Sequence, residues 1–158
     1  MSKQKPAPGF DSLMEKARRF CVFRERCYHE TLVKVKSWGI PYELVQKIMN
    51  QLQEEKFIND SRFAGVYARS KFNANQWGKI KIQAHLQALR ISNQDIREAL
   101  SQIDPEKYEA VAIKLAQKKS AALKPELDSY TRKAKITAYL LQKGFEMDII
   151  KRINEYVK

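Results

Sequence analysis

The sequence predicts an all-α protein built from three tandem three-helix modules in an elongated, curved arrangement. One pattern occurs three times, with copies that begin at Val35, Leu86 and Leu140. Each copy reads as the end of a helix, a tight turn and an amphipathic second helix. No stretch of β-branched residues alternates with polar residues over the length of a strand. Because stacked modules contact only their neighbours, such a protein is suited to binding along a nucleic acid or a protein filament.

The chain divides into a short basic terminus and three segments of similar length. The terminus is rich in Lys, Pro and Gly, which is typical of a flexible chain end. We predict a flexible N-terminus at residues 1–10, helical module 1 at 11–57, helical module 2 at 58–103 and helical module 3 at 104–158.

Module 1 is predicted to contain three helices. The segment Ser12–Glu15 has the form of a capping box and predicts the start of the first helix, which runs toward Arg24. A second helix is predicted at about 29–38, and Gly39 then stands where a positive φ would end it. Pro41 fits the first turn of a third helix, because its φ is fixed and it lacks an N–H.

Modules 2 and 3 carry helix-start signals of the same kind. Asp60 is predicted to cap the first helix of module 2, and Ser92 to open its last helix. In module 3, Asp104 followed by Pro105 predicts a capped helix with proline in its first turn. Asp128 is predicted to begin the next helix after a break.

Composition limits the class of protein. The 158 residues are 44% apolar, which is enough to bury a core, and the formal net charge is +12. That charge implies a polyanionic or acidic partner. The N-terminus lacks the apolar core of a secretory signal, and no run is long enough to span a bilayer, so we expect a soluble, cytoplasmic protein. Cys21 and Cys27 are expected to be reduced.

The sequence holds no recognisable catalytic motif. There is no Gly-rich phosphate loop, no nucleophile elbow and no pair of carboxylates in apolar surroundings. The cysteines and His29 lack the spacing of zinc ligands, and His85 is expected to be a hydrogen-bonded residue at the boundary of an apolar face. Gly39 and Gly144 occupy equivalent repeat positions, which indicates turn geometry. We therefore expect a monomer with no enzyme activity, cofactor, metal or small-molecule substrate.

The stretch from Ser61 to Gln94 contains several cations and neither Asp nor Glu. Aromatic residues are interleaved with these cations, as in nucleic-acid sites and protein interfaces. For Phe63 a place in the core is favoured by its helical spacing, whereas Trp77 lies in a polar loop and could serve either packing or function. The candidate binding residues in this stretch are Arg62, Tyr67, Arg69, Lys71, Trp77, Lys79 and Lys81.

A second basic group lies on two predicted helices of module 3. Antiparallel packing of these helices would merge the charges into one patch. Because acidic residues such as Glu109 and Asp128 lie nearby, a merely solvated surface is the favoured interpretation. The group comprises Lys114, Lys118, Lys119, Arg132, Lys133 and Lys135, of which Lys118, Lys119 and Lys133 are candidate binding residues.

Several segments, taken together, resemble one known family. Their order and their spacing of roughly 50 residues make the similarity specific. The residues that carry it are Phe57–Ala64, Tyr67, Arg69, Gly78, Lys79, Ile82, Leu86 and Leu89–Ile91 in the centre, with Glu30, Lys34, Val35, Gly39 and Ile40 before them and Lys143–Phe145, Asp148 and Ile149 after them. From about Ala17 to Val157 the chain resembles the RecX regulatory family.

The resemblance implies a non-enzymatic regulator of the bacterial recombinase RecA, in homologous recombination, DNA repair and the SOS response. Proteins of this family bind the RecA filament on DNA, lie in its groove and restrain its ATPase, strand-exchange and co-protease activities. The chain departs from the family pattern at Cys27, Thr31 and Arg90, which affects local capping and turn geometry. The alternative is a direct DNA- or RNA-binding helical repeat protein with no recombinase partner, for which the net charge of +12 and the central aromatic-cationic stretch would suffice.

Overall fold

The computed structural model describes residues 9–156, and this part of the chain forms nine helices and no strand. The predicted all-α class with tandem three-helix modules is confirmed. Most of the predicted flexible terminus, and Val157, lie outside the described residues. The helices are α1 Phe10–Phe23, α2 Tyr28–Lys36, α3 Tyr42–Glu54, α4 Asp60–Asn75, α5 Lys79–Ala88, α6 Asn93–Ser101, α7 Pro105–Ala122, α8 Ser129–Lys143 and α9 Met147–Tyr156.

The chain forms two compact units, Met1–Phe63 and Ala64–Lys158, and the boundary lies within α4. The three predicted module boundaries stay a prediction. Between residues 9 and 156, every helix is too short or too polar to cross a bilayer.

The first unit packs α1, α2 and α3 against one another. Apolar residues at helical spacing line the inner face of each helix, and their burial supplies the main stabilising free energy. At the surface of this unit the guanidinium of Arg18 donates two hydrogen bonds to Glu55, of 2.9 and 2.8 Å, which join α1 to the end of α3. The buried residues are Leu13, Met14, Ala17, Cys21, Val35, Val45, Ile48, Met49, Leu52 and Ile58.

Two helix starts in the first unit differ from the prediction. Gly9 is the N-cap of α1 and Phe10 its first residue, so Ser12 lies inside the helix and the predicted capping box was wrong. Pro41 is the N-cap of α3 and Tyr42 its first residue, so proline stands one position earlier than predicted. Both helices begin without a side-chain cap. Apolar packing therefore outweighs cap chemistry in setting these two boundaries.

Asp60, the first residue of α4, bonds to the start of another helix. Its carboxylate accepts a hydrogen bond of 2.8 Å from the backbone N–H of Tyr28, the first residue of α2, which lies 32 residues earlier in the chain. The adjacent Asn59 caps α4, because its side-chain oxygen accepts from the N–H of Arg62 at 3.0 Å. Two neighbouring polar side chains thus each accept a hydrogen bond from a free N–H group at the start of a helix, α2 or α4.

The second unit contains the rest of α4 and the helices α5 to α9. In it α5 packs on α6, and α7, α8 and α9 pack against one another. The predicted caps Ser92, Asp104 and Asp128 are confirmed, since each side chain accepts a backbone N–H from the first turn of its own helix. These are local interactions, and the sequence carries all of their determinants.

The three turns of the repeat share one backbone conformation. Gly39, Arg90 and Gly144 occupy equivalent positions and have φ values of 68°, 59° and 97°. The left-handed region is easily reached by glycine, whereas a residue with a Cβ enters it at a cost. The turn geometry is therefore retained at Arg90, although this residue departs from the family pattern.

The start of α5 lies against the end of α8. The N–H of Gly78 donates to the carbonyl oxygen of Lys143 at 2.8 Å, and the N–H of Ile80 donates to that of Gly144 at 3.0 Å. The first N–H groups of a helix and its last carbonyl groups have no partner within the helix itself. In this contact, free N–H groups at the start of α5 donate to free carbonyl groups at the end of α8.

Candidate functional site

Trp77 is half-buried in the second unit and is surrounded by cationic side chains. The centre of its ring lies 4.5 Å from that of His85. The Nζ atoms of Lys71 and Lys81 lie 4.9 and 4.6 Å from the centre of the indole ring. A cation over an indole ring is stabilised by about 0.5–1 kcal/mol when the site is exposed to solvent. We call Lys71, Trp77, Lys81 and His85 the Trp77 cluster.

The backbone between α4 and α5 brings the Trp77 cluster together. Gln76 follows the end of α4 with a positive φ of 56°, and the chain then turns back on itself. The N–H of Trp77 donates to the carbonyl oxygen of Lys71 at 3.1 Å, which holds the indole beside the end of α4. Lys81 and His85 are four residues apart on α5 and therefore share one face of that helix.

The lysines around Trp77 have no carboxylate partner in the part of the chain that the structure describes. The Nζ of Lys143 donates to the carbonyl oxygen of Asn75 at 2.8 Å. Burial, and then repulsion from Lys81, lowers the pKa of Lys143. Over residues 9–156, Lys71, Lys81 and Lys143 take part in no ion pair with a carboxylate. A bound anion would relieve the repulsion between Lys81 and Lys143.

Lys79 belongs to a buried junction next to the Trp77 cluster. The hydroxyl of Tyr108 accepts a hydrogen bond of 2.9 Å from the N–H of Lys79 and donates one to the carboxylate of Glu146. Burial, and then the bond to Glu146, raises the pKa of Tyr108. The ring of Tyr108 packs against Phe72 and Phe145. The Nζ of Lys79 lies 5.0 Å from the centre of the Tyr108 ring, so this lysine is held at both its backbone and its side chain.

Arg62 has partners of its own within the first unit. Its guanidinium donates to the carboxylate of Glu25 at 2.6 Å. It also donates to the carbonyl oxygens of Lys56 and Phe57, at 2.9 and 3.3 Å. These bonds fix the connection between α3 and α4. Arg62 therefore has a structural role whether or not it contacts a partner.

Tyr67 adjoins the Trp77 cluster, and Arg69 does not. The Nζ of Lys71 lies 5.4 Å from the centre of the Tyr67 ring. Arg69 precedes Lys71 by two residues and so points to another face of α4, where its Nη1 donates to Gln102 at 3.1 Å. Phe63 is 4% exposed, which confirms its predicted place in the core.

The second basic group is partly gathered by the packing of α7 on α8. Lys119 and Lys135 line one cleft of about 280 Å³ together with Tyr139. The Nζ of Lys119 lies 5.4 Å from the centre of the Tyr139 ring. Lys118 and Lys133 are exposed. The predicted merging of charges from the two helices is thus seen for Lys119 and Lys135.

Arg132 acts within the fold. Its guanidinium donates to the carbonyl oxygens of Ser120 and Lys124, at 2.7 and 2.8 Å, at the end of α7. The last carbonyls of a helix need such donors, and a cation there also opposes the helix dipole favourably. Arg132 therefore stabilises the C-terminal end of α7.

The sequence did not reveal that His85 and Lys143 lie close to Trp77 and Lys81. His85 was expected to be a boundary residue with a hydrogen bond, but it is exposed and its ring packs on Trp77. Its position four residues after Lys81 was the available signal. Lys143 comes close to Lys81 only through the contact of α5 with the end of α8, which a single sequence does not show.

Two segments of the chain match domain profiles of one family. Residues 59–100 match the second three-helix domain of RecX, and residues 106–153 match the third. Together the two segments make up more than half of the chain. The profiles therefore follow the same three-helix organisation as the structure.

Curated relatives carry the name Regulatory protein RecX. The chain is 35% identical over 116 residues to that of Clostridium botulinum strain Alaska E43, covering 73% of this chain and 54% of the relative. It is 29% identical over 135 residues to that of Limosilactobacillus reuteri strain DSM 20016, covering 85% of this chain and 51% of the relative. The chain thus spans about half the length of these curated relatives.

Two crystal structures have the same fold. RecX from Lactobacillus salivarius superposes with a TM-score of 0.86 at 24% identity, covering 94% of this chain and 96% of the other. A second structure, of regulatory protein RecX, superposes with a TM-score of 0.80 at 27% identity, covering 92% of this chain and 73% of the other. On the evidence of the repeat, the two domain profiles and the curated relatives, the chain belongs to the RecX family.

Proposed function

We propose that this chain regulates RecA by binding the RecA filament on DNA. Membership of the RecX family supports the choice of partner. The observation that carries the proposal in this chain is the Trp77 cluster, whose lysines have no carboxylate partner in the described range. A surface of this kind gains most from an anionic partner, because its own charges repel one another.

The Trp77 cluster combines the two features of a binding anchor. Its lysines offer ammonium groups to acidic side chains or to phosphates, and the half-buried indole offers apolar area at little cost in conformational entropy. Trp77 is held by backbone and ring contacts before any partner arrives. A preorganised ring loses less entropy on binding than a mobile one.

Other residues add to this contact in our proposal. Tyr67 extends the Trp77 cluster through Lys71, and Lys79 borders it. Several weak contacts along an extended partner combine through high effective concentration. Arg62 and Arg69 already bond within the fold and contribute less. The second basic group supplies the further contacts Lys118, Lys119 and Lys133.

The proposed mode of action is inhibition by occupancy. A protein bound across neighbouring RecA subunits blocks extension of the filament or access of a second DNA. In this scheme the ATPase, strand-exchange and co-protease activities of RecA fall together, since all three need an intact and accessible filament. The chain itself makes and breaks no covalent bond.

Direct binding of nucleic acid is the second candidate function. It is favoured by one observation, an indole ring flanked by two lysines, which is the arrangement on which bases stack while cations contact phosphates. In that case the chain would bind naked DNA as well as it binds the filament. Its affinity would then fall steeply with salt, because counterions are released on binding.

Fluorescence anisotropy distinguishes the two candidates. The fluorescently labelled protein is titrated with naked single-stranded DNA and with RecA filaments on the same DNA, at several salt concentrations. We expect the protein to bind filaments at DNA concentrations at which it does not bind naked DNA. Equal affinity for naked DNA, with the salt dependence of a phosphate binder, would favour the second candidate. No binding to filaments at any salt concentration would contradict the proposal.

Matched variants test the place of contact. The double variant Lys71→Glu with Lys81→Glu reverses two charges of the Trp77 cluster. The control, Arg97→Glu with Lys107→Glu, reverses two exposed cations elsewhere in the second unit and changes the net charge equally. We expect weaker filament binding for the first variant alone. Equal losses in both would indicate that only the net charge matters.

A further inference from the structure

The turn of module 1 and the turn of module 3 are copies of one element. Trp38-Gly39-Ile40 stands at the repeat position of Lys143-Gly144-Phe145, and both central glycines have a positive φ, of 68° and 97°. Each turn joins the last two helices of its module. What one copy binds is therefore a guide to what the other can bind.

In the second unit this turn binds the start of a helix. The carbonyl oxygens of Lys143 and Gly144 accept hydrogen bonds from Gly78 and Ile80, at the first turn of α5. Gly78 permits the close approach, because a Cβ there would lie 2.3 Å from the carbonyl oxygen of Gly144. The element thus recognises a helix N-terminus that begins with glycine.

In the first unit the same turn is open. No atom lies within 4 Å of the position of a Cβ on Gly39. In the described part of the chain, the carbonyl oxygens of Trp38 and Gly39 accept no backbone hydrogen bond. Beside the turn lies a groove of about 510 Å³, formed within the first unit, and its lining comprises Leu13, Lys16, Ser37, Trp38, Gly39, Ile40, Pro41 and Leu44.

The groove has an apolar floor and a cationic wall. Trp38 and Ile40 are half-buried, and the Nζ of Lys16 lies 4.6 Å from the centre of the Trp38 ring. A second cleft shares Leu13 and Lys16 with the groove and adds Arg19. Within residues 9–156, Arg19 forms an ion pair with Glu15, and this contact at 4.0 Å joins two side chains that are each more than 70% exposed. Such a pair contributes little, so the wall remains available to another anion.

We infer that the Trp38–Gly39–Ile40 turn binds the N-terminal turn of a helix from an acidic protein partner. The turn carbonyls accept the free N–H groups at the start of that helix, as they do in module 3. Carboxylates are favoured in the first turn of a helix, where they oppose its dipole, and here they meet Lys16 and Arg19. A glycine at the helix start allows the close approach.

The partner is a different protein rather than a second copy of this chain. The start of α1, after Gly9, also has this form, but two copies of a chain with a net charge of +12 repel each other. The start of α5 is already bonded to Lys143 and Gly144. Its first turn also carries Lys79 and Lys81, whose charge the cationic wall would repel. The inference does not depend on RecA, and it can fail or hold independently of the proposed function.

A peptide titration followed by NMR tests the inference. The probe is an N-acetylated alanine-based peptide of about 16 residues that begins Gly-Glu-Leu-Glu, a length at which an isolated helix can form in water. Its match begins Gly-Lys-Leu-Lys. We expect the acidic peptide to shift the Gly39 amide and the Trp38 indole signals in a saturable manner. The double variant Lys16→Glu with Arg19→Glu should weaken that binding by about tenfold or more.

The controls make each outcome decisive. Arg97→Glu with Lys107→Glu should bind the acidic peptide as the wild type does, and far-UV circular dichroism should show the same helix content in all variants. Absence of shifts at millimolar peptide, or equal shifts with the basic peptide, would overturn the inference. Shifts of the same signals on concentrating the protein alone would assign the groove to a second copy and would also overturn it.

Discussion

The backbones of Gly78 and Gly144 are so close that a Cβ on Gly78 would lie 2.3 Å from both the carbonyl carbon and the carbonyl oxygen of Gly144. Real Cβ atoms do not approach other atoms this closely. The contact brings the start of α5 onto the end of α8, and with it Lys81 comes near Lys143. The close approach of the two backbones at Gly78 and Gly144 thus helps to bring Lys81 and Lys143 together.

Replacing Gly78 with alanine is expected to destabilise the second unit by about 3 kcal/mol, because the backbone of Gly144 cannot move aside as a flexible side chain would. Urea denaturation followed by circular dichroism measures this change. Gly9→Ala is the matched control, since no atom lies within 4 Å of its Cβ position and its φ of −69° suits any residue. Equal stability of the two variants would contradict the close approach.

Replacing Tyr108 with phenylalanine removes one hydroxyl from a buried junction. The N–H of Lys79 and the carboxylate of Glu146 then lose a hydrogen-bond partner. We expect a loss of about 1–3 kcal/mol in the free energy of unfolding, which is the usual cost of leaving buried polar groups unsatisfied. Tyr130→Phe is the control, because Tyr130 is 84% exposed. A Tyr108→Phe variant as stable as this control would rule out the proposed importance of the hydroxyl.

The ion pair of Arg18 and Glu55 makes the first unit sensitive to acid. Hydrogen bonds from Arg18 and then from Gln51 lower the pKa of Glu55 from 4.5 to about 2. A lowered pKa in the folded state stabilises the fold above the ordinary value, and this stabilisation is lost as pH falls from 4.5 toward 2. Glu55→Gln should therefore be less stable than the wild type at pH 7.

The difference between the wild type and Glu55→Gln should vanish near pH 2, where the wild-type carboxyl is losing its charge. Thermal unfolding at a series of pH values measures it. Glu54→Gln, at the preceding exposed position, controls for the change in net charge. A difference that is constant from neutral to acidic pH would show that the carboxylate charge of Glu55 does not stabilise the fold.

Replacing Trp77 with alanine separates binding from packing. We expect filament affinity to fall by about tenfold or more, as for an aromatic anchor, with only a small change in the urea midpoint. Phe145→Leu gives the opposite pattern, because Phe145 is fully buried and its loss affects the core. If Trp77→Ala bound filaments normally but unfolded more easily, the indole would be a packing residue.

Local signals in the sequence were sufficient for the helix starts at Ser92, Asp104 and Asp128 and for the turns at Gly39 and Gly144. Ser92 and Asp104 cap the helices that directly follow them, so spacing alone identified them. The positive φ of Gly39 and Gly144 follows from the repeat and from the chemistry of glycine. These predictions succeeded because every atom involved lies within a few residues along the chain.

Long-range contacts could not be predicted in the same way. Asp60 caps α2, because the fold places Tyr28 within reach of its carboxylate. Trp77 was left open between core and function, and its half-burial depends on contacts with α4 and α5 that the loop sequence does not reveal. The partners of Arg62 and Arg69 likewise come from distant segments, and these partners weaken the case for both as binding residues.

Hydrolysis of ATP by RecA on single-stranded DNA tests the central claim most directly. The wild-type chain should slow hydrolysis at concentrations too low to coat the DNA, and Lys71→Glu with Lys81→Glu should need about tenfold more protein for the same effect, since each charge contact adds up to about 1 kcal/mol. The Arg97→Glu and Lys107→Glu control should act as the wild type does. An unchanged rate of hydrolysis with saturating wild-type protein, or full inhibition by the Trp77-cluster variant, would contradict the account.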